Sequence, residues 1–266
     1  MKLTVLADNN TIIDRYFLGE PAVSYYLEEG GTRILFDTGY SDVYLKNAEA
    51  LGCPIRQLDA VVLSHGHNDH TGGLRFFPDL DRKIPLIAHP AIFDPKYDEQ
   101  LMVGCPVPKE EMEKKFVLRL SRDPVRISPR LTWLGQIPRV TDFEEKPTGV
   151  RCTDGQCVPD LLPDDSALML EEEDGLFIIT GCSHAGICNI MEYAKKLSGK
   201  NSIKGVIGGF HLFDRDAGQI VRTVEYFRKE NIPDLYPCHC TSFGAKCAMA
   251  REMTVHEVGV GLTVEW

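Results

Sequence analysis

The 266 residues suffice for one sizeable domain or two small ones, and 43% hydrophobic with 26% charged residues is ordinary globular composition. A formal net charge of −10 (29 Lys and Arg against 39 Asp and Glu) excludes a nucleic-acid backbone as partner, since no basic excess neutralises phosphates. No uncharged apolar run is long enough for a transmembrane helix, and the opening residues Met1 to Asp8 turn acidic too soon for a signal peptide; a cytoplasmic location with no membrane partner is expected.

Lys2 to Ala7 and Ala22 to Glu28 alternate as strands, and Asp8 to Glu20 is a loop between them that could reach an active face. Gly30-Gly31 signals a hairpin, and the next strand starts at Thr32 and ends in Asp37-Thr38-Gly39. Ser41 to Leu51 places Val43, Leu45, Ala48 and Leu51 on one face of a short helix, capped by Ser41 and stopped by Gly52. Asp59 to Ser64 is an apolar, β-branched strand that delivers His65-Gly66-His67-Asn68-Asp69-His70-Thr71-Gly72-Gly73. In extended backbone His65 and His67 leave the same side, and Asp69 and His70 follow where the chain turns back. Imidazole and carboxylate suit zinc, iron or manganese, so one short segment can supply ligands to two adjacent metals. Any one of these histidines alone reads as a polar loop residue; four donor side chains within six positions read as a metal site.

Gly73 to Phe77 starts a helix that Pro78 curtails, and Ile84 to Ala88 is a strand ending in His89, a loop residue or substrate contact. Residues 91–163 carry little pattern: a helix over Lys109 to Leu120, a strand over Arg130 to Leu134, and many prolines. This central stretch reads as an irregular insertion or lid over the active site of a single domain spanning 1–266. Its Lys109, Lys114, Lys115, Arg119, Arg122 and Arg126 read as a solvated face first and as contacts to an anionic substrate second. Nine cysteines leave at least one unpaired. Cys152 and Cys157 flank a turn; a local disulfide and a metal clip are alternatives there, and two unpaired thiols are favoured in a reducing compartment.

Periodic structure resumes with strands Ser166 to Leu170 and Gly175 to Thr180, the second running into Gly181-Cys182-Ser183-His184. A helix over Ile187 to Leu197, a strand over Ile203 to Leu212 carrying His211, and a helix over Ala217 to Glu230 follow. Asp234 to Ser242 is a strand ending in Cys238-His239-Cys240; a helix from Gly244 to Met253 and a strand from Glu257 to Val264 finish the chain. Alternating strands and helices imply α/β layers, with ligands at the end of the sheet where the histidines collect. Six of the eight histidines stand at strand ends, which packing does not explain.

The His-x-His-x-Asp-His motif behind an apolar strand resembles the signature of the metallo-β-lactamase fold superfamily. The resemblance implies an αββα metallo-β-lactamase sandwich with two divalent metals at one edge, zinc first and iron or manganese as alternatives. Thr180-Gly181-Cys182-Ser183-His184, Gly208-Gly209-Phe210-His211 and Pro237-Cys238-His239-Cys240 are similar to the branch that holds the 7,8-dihydropterin-6-methyl-4-(β-D-ribofuranosyl)aminobenzene 5′-phosphate synthase-like proteins. The superfamily's usual Pro-Gly-His is here Pro163-Asp164-Asp165, and its aspartate after Thr-Gly is Cys182. His184 is then the first replacement ligand, with Asp165 and Cys182 behind it. The resemblance assigns His65, His67 and His184 to one metal and Asp69, His70 and His239 to the other. Asp37 is expected to orient the ligands, and His211 to stand behind them or meet substrate.

The function so implied is a metal-dependent hydrolase in which metal-bound hydroxide attacks a phosphoester, ester or lactone, with Asp69 taking a proton. The alternatives are a pterin-condensing synthase that displaces pyrophosphate, a di-iron redox enzyme, and a sensor with a degenerate metal site. The expected partner is a small anionic substrate; the oligomeric state stays open.

Overall fold

The computed structural model describes residues 1–144, 146–153 and 155–266. Strands β1 (Lys2–Ala7), β2 (Ser24–Glu29) and β3 (Thr32–Phe36) form an antiparallel meander. Helix α1 (Val43–Ala50) crosses to β4 (Ala60–Val62), and the one-turn α2 (Asn68–Thr71) precedes β5 (Ile84–Ala88). Next come β6 (Lys96–Asp98), β7 (Leu101–Met102), α3 (Lys109–Lys115), β8 (Phe116–Leu120), β9 (Val125–Arg126) and β10 (Leu131–Trp133). The hairpin β11 (Val150–Thr153) and β12 (Gln156–Pro159) leads to β13 (Ala167–Glu172) and β14 (Gly175–Thr180). The chain ends with α4 (Ile187–Ser198), β15 (Ile203–Gly209), α5 (Ala217–Glu230), β16 (Asp234–Cys238), α6 (Phe243–Ala250) and β17 (Thr263–Glu265).

Two mixed sheets face each other. One runs β17-β1-β2-β3-β4-β5-β8 and the other β16-β15-β14-β13-β10-β9. Period-two alternation explains why the strands are apolar on both faces. Tyr25, Leu27, Ile34, Phe36 and Val62 of the first sheet meet Leu168, Leu170, Ile179 and Ile207 of the second in the inter-sheet core. Their neighbours Tyr26, Leu35 and Val61 point outward under α1 and α3. On the other side Met169, Ile178 and Val206 point outward under α4, α5 and α6. The layers are therefore helix, sheet, sheet, helix, the αββα sandwich. Trp133, fully buried, donates its indole N–H to the Leu63 carbonyl at 3.2 Å, a polar stitch across the core directly beneath His65.

Residues 91–163 divide among all three sheets. β8 extends the first, β9 and β10 extend the second, and β6, β7, β11 and β12 form a separate four-stranded sheet in the order β12-β11-β6-β7. Three expectations need correction. The helix over Lys109 to Leu120 stops at Lys115, because Phe116, Leu118 and Leu120 have strand periodicity and pair in parallel with β5. The final strand shrinks to Thr263–Glu265; Gly261, at φ +86°, breaks the extended run before it. Cys152 and Cys157 stand directly opposite in β11 and β12 and are joined as a disulfide rather than left as two thiols, since hairpin pairing brings their Cα atoms to 4.1 Å. Among the described residues no helix is long and apolar enough to cross a membrane.

Replacing Trp133 with Phe keeps an aromatic ring but leaves the Leu63 carbonyl without its indole donor. We expect a loss of about 1–3 kcal/mol, read as a lower denaturant midpoint with an unchanged slope.

Candidate metal centre

The site is built where strands of both sheets stop at one edge. β3 ends in Asp37, β4 in Ser64 and His65, β14 in Cys182 to His184, β15 in His211, and β16 in His239 and Cys240. Four of these strand ends carry a non-glycine residue in the left-handed region: Asp37 (φ +58°), Ser183 (+57°), His211 (+50°) and His239 (+48°). Such backbone costs about 1–3 kcal/mol per residue and persists where the surroundings dictate it. Here it turns each chain abruptly, so the side chains converge instead of following the pleat.

The imidazole rings of His65, His67 and His184 lie 4.7–4.8 Å apart, centroid to centroid. Their three Nε2 atoms are buried and have no hydrogen-bond partner. Burial, aided by the neighbouring imidazoles, holds His65 and His184 well below the usual histidine range; burial brings His67 down to about 4. Three neutral rings thus leave free lone pairs close together in a buried place, which suits a cation. Beside them, Asp69 Oδ2 lies 3.2 Å from His239 Nε2 and 3.7 Å from His70 Nε2, and His70 Nε2 lies 3.1 Å from Cys182 Sγ. Donor atoms of Asp69, His70, Cys182 and His239 all fall within 4.8 Å of one another, as do those of His65, Cys182 and His184. The Cys182 sulfur belongs to both groups and is the donor placed to bridge them.

Hydrogen bonds fix the rings from behind, as ligating histidines require. The buried Asp37 carboxylate accepts from the Ser64 N–H and hydroxyl, each at 2.7 Å, and faces His70 Nδ1 at 2.7 Å. Ser64 Oγ also meets His65 Nδ1 at 2.9 Å. A Cβ on Gly181 would fall 2.3 Å from Ser64 Oγ and 2.8 Å from Asp37 Oδ2, so only glycine lets β14 approach. His184 Nδ1 meets Thr148 Oγ1 at 3.4 Å, and His239 Nδ1 meets Asn9 Oδ1 at 2.9 Å. Asp164 accepts from the Gly66 N–H at 2.8 Å and pairs at 3.0 Å with Lys96, a buried lysine under the metal-motif loop.

Burial pushes His70 down, but the Asp69 and Asp37 carboxylates outweigh it and raise the imidazole to about 9. Burial alone would raise Asp69; the His70 and His239 imidazoles hold it well below the usual carboxylate range. Cys182 is raised well above a free thiol, mainly by burial, while contacts with Cys182 and His211 overcome burial and hold Cys240 well below one.

The predicted residues His65, His67, Asp69, His70, His184 and His239 all come together, from strand ends up to 174 positions apart (239 − 65). Asp165 joins no donor group: it lies behind His65, 4.0 Å from Nδ1, and accepts from the Ala185 N–H, with burial pushing it up to about 7. His211 packs at a tilt against His184, ring centroids 4.1 Å apart, and lines the cavity. His89 stands apart, accepting from the Ala91 N–H at the start of a short 3-10 turn. The sequence reading missed Cys240, Lys96, Asp8 and Asn9. Cys240 carried a signal in the alternation Cys238-His239-Cys240, and Asp8 and Asn9 stand at the start of the loop expected to reach the active face; they meet His239 across some 230 residues of chain.

A cavity of about 780 Å³ opens over the donors, walled by Pro21 and Tyr40 on one side and Lys146, Thr148, Phe213 and Arg215 on the other. Of the cations in residues 109–126 none lines it; Lys109, Lys114 and Arg126 pair with Glu113, Glu111 and Glu171.

Residues 18–239 match the family profile described as the metallo-beta-lactamase superfamily. The chain is 36% identical to the 7,8-dihydropterin-6-methyl-4-(beta-D-ribofuranosyl)-aminobenzene-5'-phosphate synthase of Methanocaldococcus jannaschii, over 92% of this chain and 89% of that protein. It superposes on Tm1679, described as a metal-dependent hydrolase of the beta-lactamase superfamily, with a TM-score of 0.86 and 30% identity, covering 100% and 99% of the two chains. A diphosphatase of the PhnP family shares the fold at a TM-score of 0.54 and 16% identity, over 100% and 97%. The chain belongs to the metallo-beta-lactamase superfamily.

Asp37→Asn keeps the size but presents an N–H₂ to His70 Nδ1, forcing the ring proton onto Nε2, the atom that must bind metal. Chelator competition should show cation affinity weakened about 10–100-fold. For protein stripped with chelator, His70 sits above its unfolded value of 6.5. Its stabilising contribution is therefore full below pH 6.5 and lost as pH rises through about 9. Thermal melts of stripped protein should fall across that window, and less so in His70→Gln.

Proposed function

We propose that this member of the superfamily is a metal-dependent hydrolase of a small anionic substrate, a phosphoester first, with an ester or lactone as alternatives. The observation that carries the reading is the set of three buried, unpartnered Nε2 atoms of His65, His67 and His184 beside the Asp69, His70, Cys182 and His239 donor group, with His67, Asp69, His184 and His239 lining the cavity. His65, His67 and His184 would hold one divalent cation and Asp69, His70 and His239 the other, with Cys182 between them; zinc is the first candidate, iron and manganese the alternatives. Such cations lower the pKa of bound water to about 7 and polarise a phosphoryl or carbonyl oxygen.

The chain's own residues do the rest. The Asp69 carboxylate, 29% exposed and held ionised by its imidazole neighbours, is placed to accept a proton from the attacking water. Arg215, stacked on Phe213 at 4.8 Å, offers positive charge on the cavity wall toward a substrate phosphate, while Lys146 is paired with Asp216 at 2.7 Å. Phe213 offers a flat apolar wall beside them.

A second reading has its own support: 36% identity to the M. jannaschii synthase over nearly the whole chain. By that reading the same histidines and Asp69 would hold cations able to bind the diphosphate of a pterin, from which an aromatic amine would displace pyrophosphate. A cavity of about 780 Å³ has room for a ligand of that size.

Chelation should abolish turnover, and zinc, manganese or iron should restore it. A panel of a generic phosphodiester, an ester, a lactone and a thioester, run beside a pterin diphosphate with an aromatic amine, then separates the readings. Hydrolysis of the first group favours the hydrolase, and pyrophosphate release only with both co-substrates favours the synthase. An undiminished rate in metal-free protein would overturn both.

A further inference from the structure

The strand ends after β14, β15 and β16 place a second kind of donor beside the centre already described. Cys182, His211 and Cys240 each offer an atom within 4.8 Å of the other two. Cys182 Sγ already meets His70 Nε2 at 3.1 Å, whereas the other two are nearly free. His211 Nδ1 is buried without a hydrogen-bond partner, and the Cys240 thiol makes only a long 3.5 Å donation to the Cys182 carbonyl. All three line the cavity, so an ion has a route in from solvent.

The placement is rigid. Leu212 and Thr241 form a parallel bridge, with the Leu212 N–H donating to the Cys240 carbonyl at 3.1 Å and the Ser242 N–H to the Leu212 carbonyl at 2.8 Å. His211 and Cys240, one residue ahead of each bridge partner, are thereby locked side by side. A Cβ on Gly209 would lie 2.5 Å from Cys240 Sγ, so that glycine makes the room the sulfur occupies. Phe213 packs edge-on against the His211 ring at 4.9 Å and limits its rotation. Rigid elements that hold donors within coordination reach are what a metal position needs.

We propose that Cys182, His211 and Cys240 form a third, sulfur-rich cation position, joined to the Asp69, His70 and His239 position through the shared Cys182 sulfur. Two thiolates and an imidazole select a soft, thiophilic divalent ion, whereas carboxylate and imidazole donors accept harder ones. The Cys182 sulfur is common to all three donor groups, so His211 and Cys240 are what set the third position apart. On loading, each thiol gives its proton to solvent as its sulfur binds the ion.

The inference rests on the metal-dependent reading above, and cobalt(II) separates the two. Wild-type protein, stripped and reloaded with cobalt(II) under a phosphine reductant, should take up three ions and show a near-ultraviolet sulfur-to-cobalt charge-transfer band. Cys240→Ser should take up one ion fewer, with that band falling by about half, because one of two thiolates is gone. His211→Gln, which leaves both sulfurs in place, should also lose one ion; far-ultraviolet circular dichroism confirms that each variant is folded. If folded Cys240→Ser keeps the wild-type count and band, the third position is overturned while the His and Asp centre stands. If wild-type protein binds no cobalt at all, the metal-dependent reading itself falls.

Discussion

The buried carboxylate of Asp37 accepts two hydrogen bonds from Ser64 and faces His70 Nδ1, all at 2.7 Å, in the seam where the two sheets meet. This acid ties the end of β3 to both halves of the metal motif. Ser64 passes the constraint to His65 through its hydroxyl, and His70 carries it across α2. A buried carboxylate without such partners would cost several kcal/mol. With them it becomes the fixed point from which the imidazole array is set out. Gly181 shows how tight the seam is, since even a methyl group there would strike the same hydroxyl and carboxylate.

Around that point the fold concentrates backbone strain. Asp37, Ser183, His211 and His239 all turn in the left-handed region at the same edge of the sandwich. Regular strands would carry their side chains alternately to the two sheet faces, into the core or under the helices. The sharp turns redirect them into the gap between sheet ends. The result is a cluster of imidazoles and carboxylates that the packed core could not itself tolerate. The αββα layers supply the stability that keeps it in place.

The small sheet of β6, β7, β11 and β12 closes the other side. Lys96 of β6 pairs with Asp164, and Asp164 in turn accepts from the Gly66 N–H between the two first histidines. Arg151 of β11 pairs with Asp94 at 2.8 Å, and the Cys152–Cys157 bridge fastens the hairpin. Thr148, just before that hairpin, reaches His184 Nδ1. The stretch with the least sequence pattern is thus the one that braces the site from outside.

Much was legible in the chain by itself. Alternating strands and helices gave α/β layers, the family resemblance gave the αββα sandwich, and the His65 to His70 spacing announced cation chemistry, because donors two apart on extended backbone share a side. Local rules also located the later histidines at strand ends. What local rules could not supply is anything set by closure of the sheets over long stretches of chain. The bridging place of Cys182, the withdrawal of Asp165 behind His65, the approach of Asn9 to His239 and the meeting of Cys240 with His211 are of this kind. So is the role of Lys96, whose burial has no local signature. Spacing along the chain fixes which side a residue faces; only the packing of two sheets face to face decides which residues then meet.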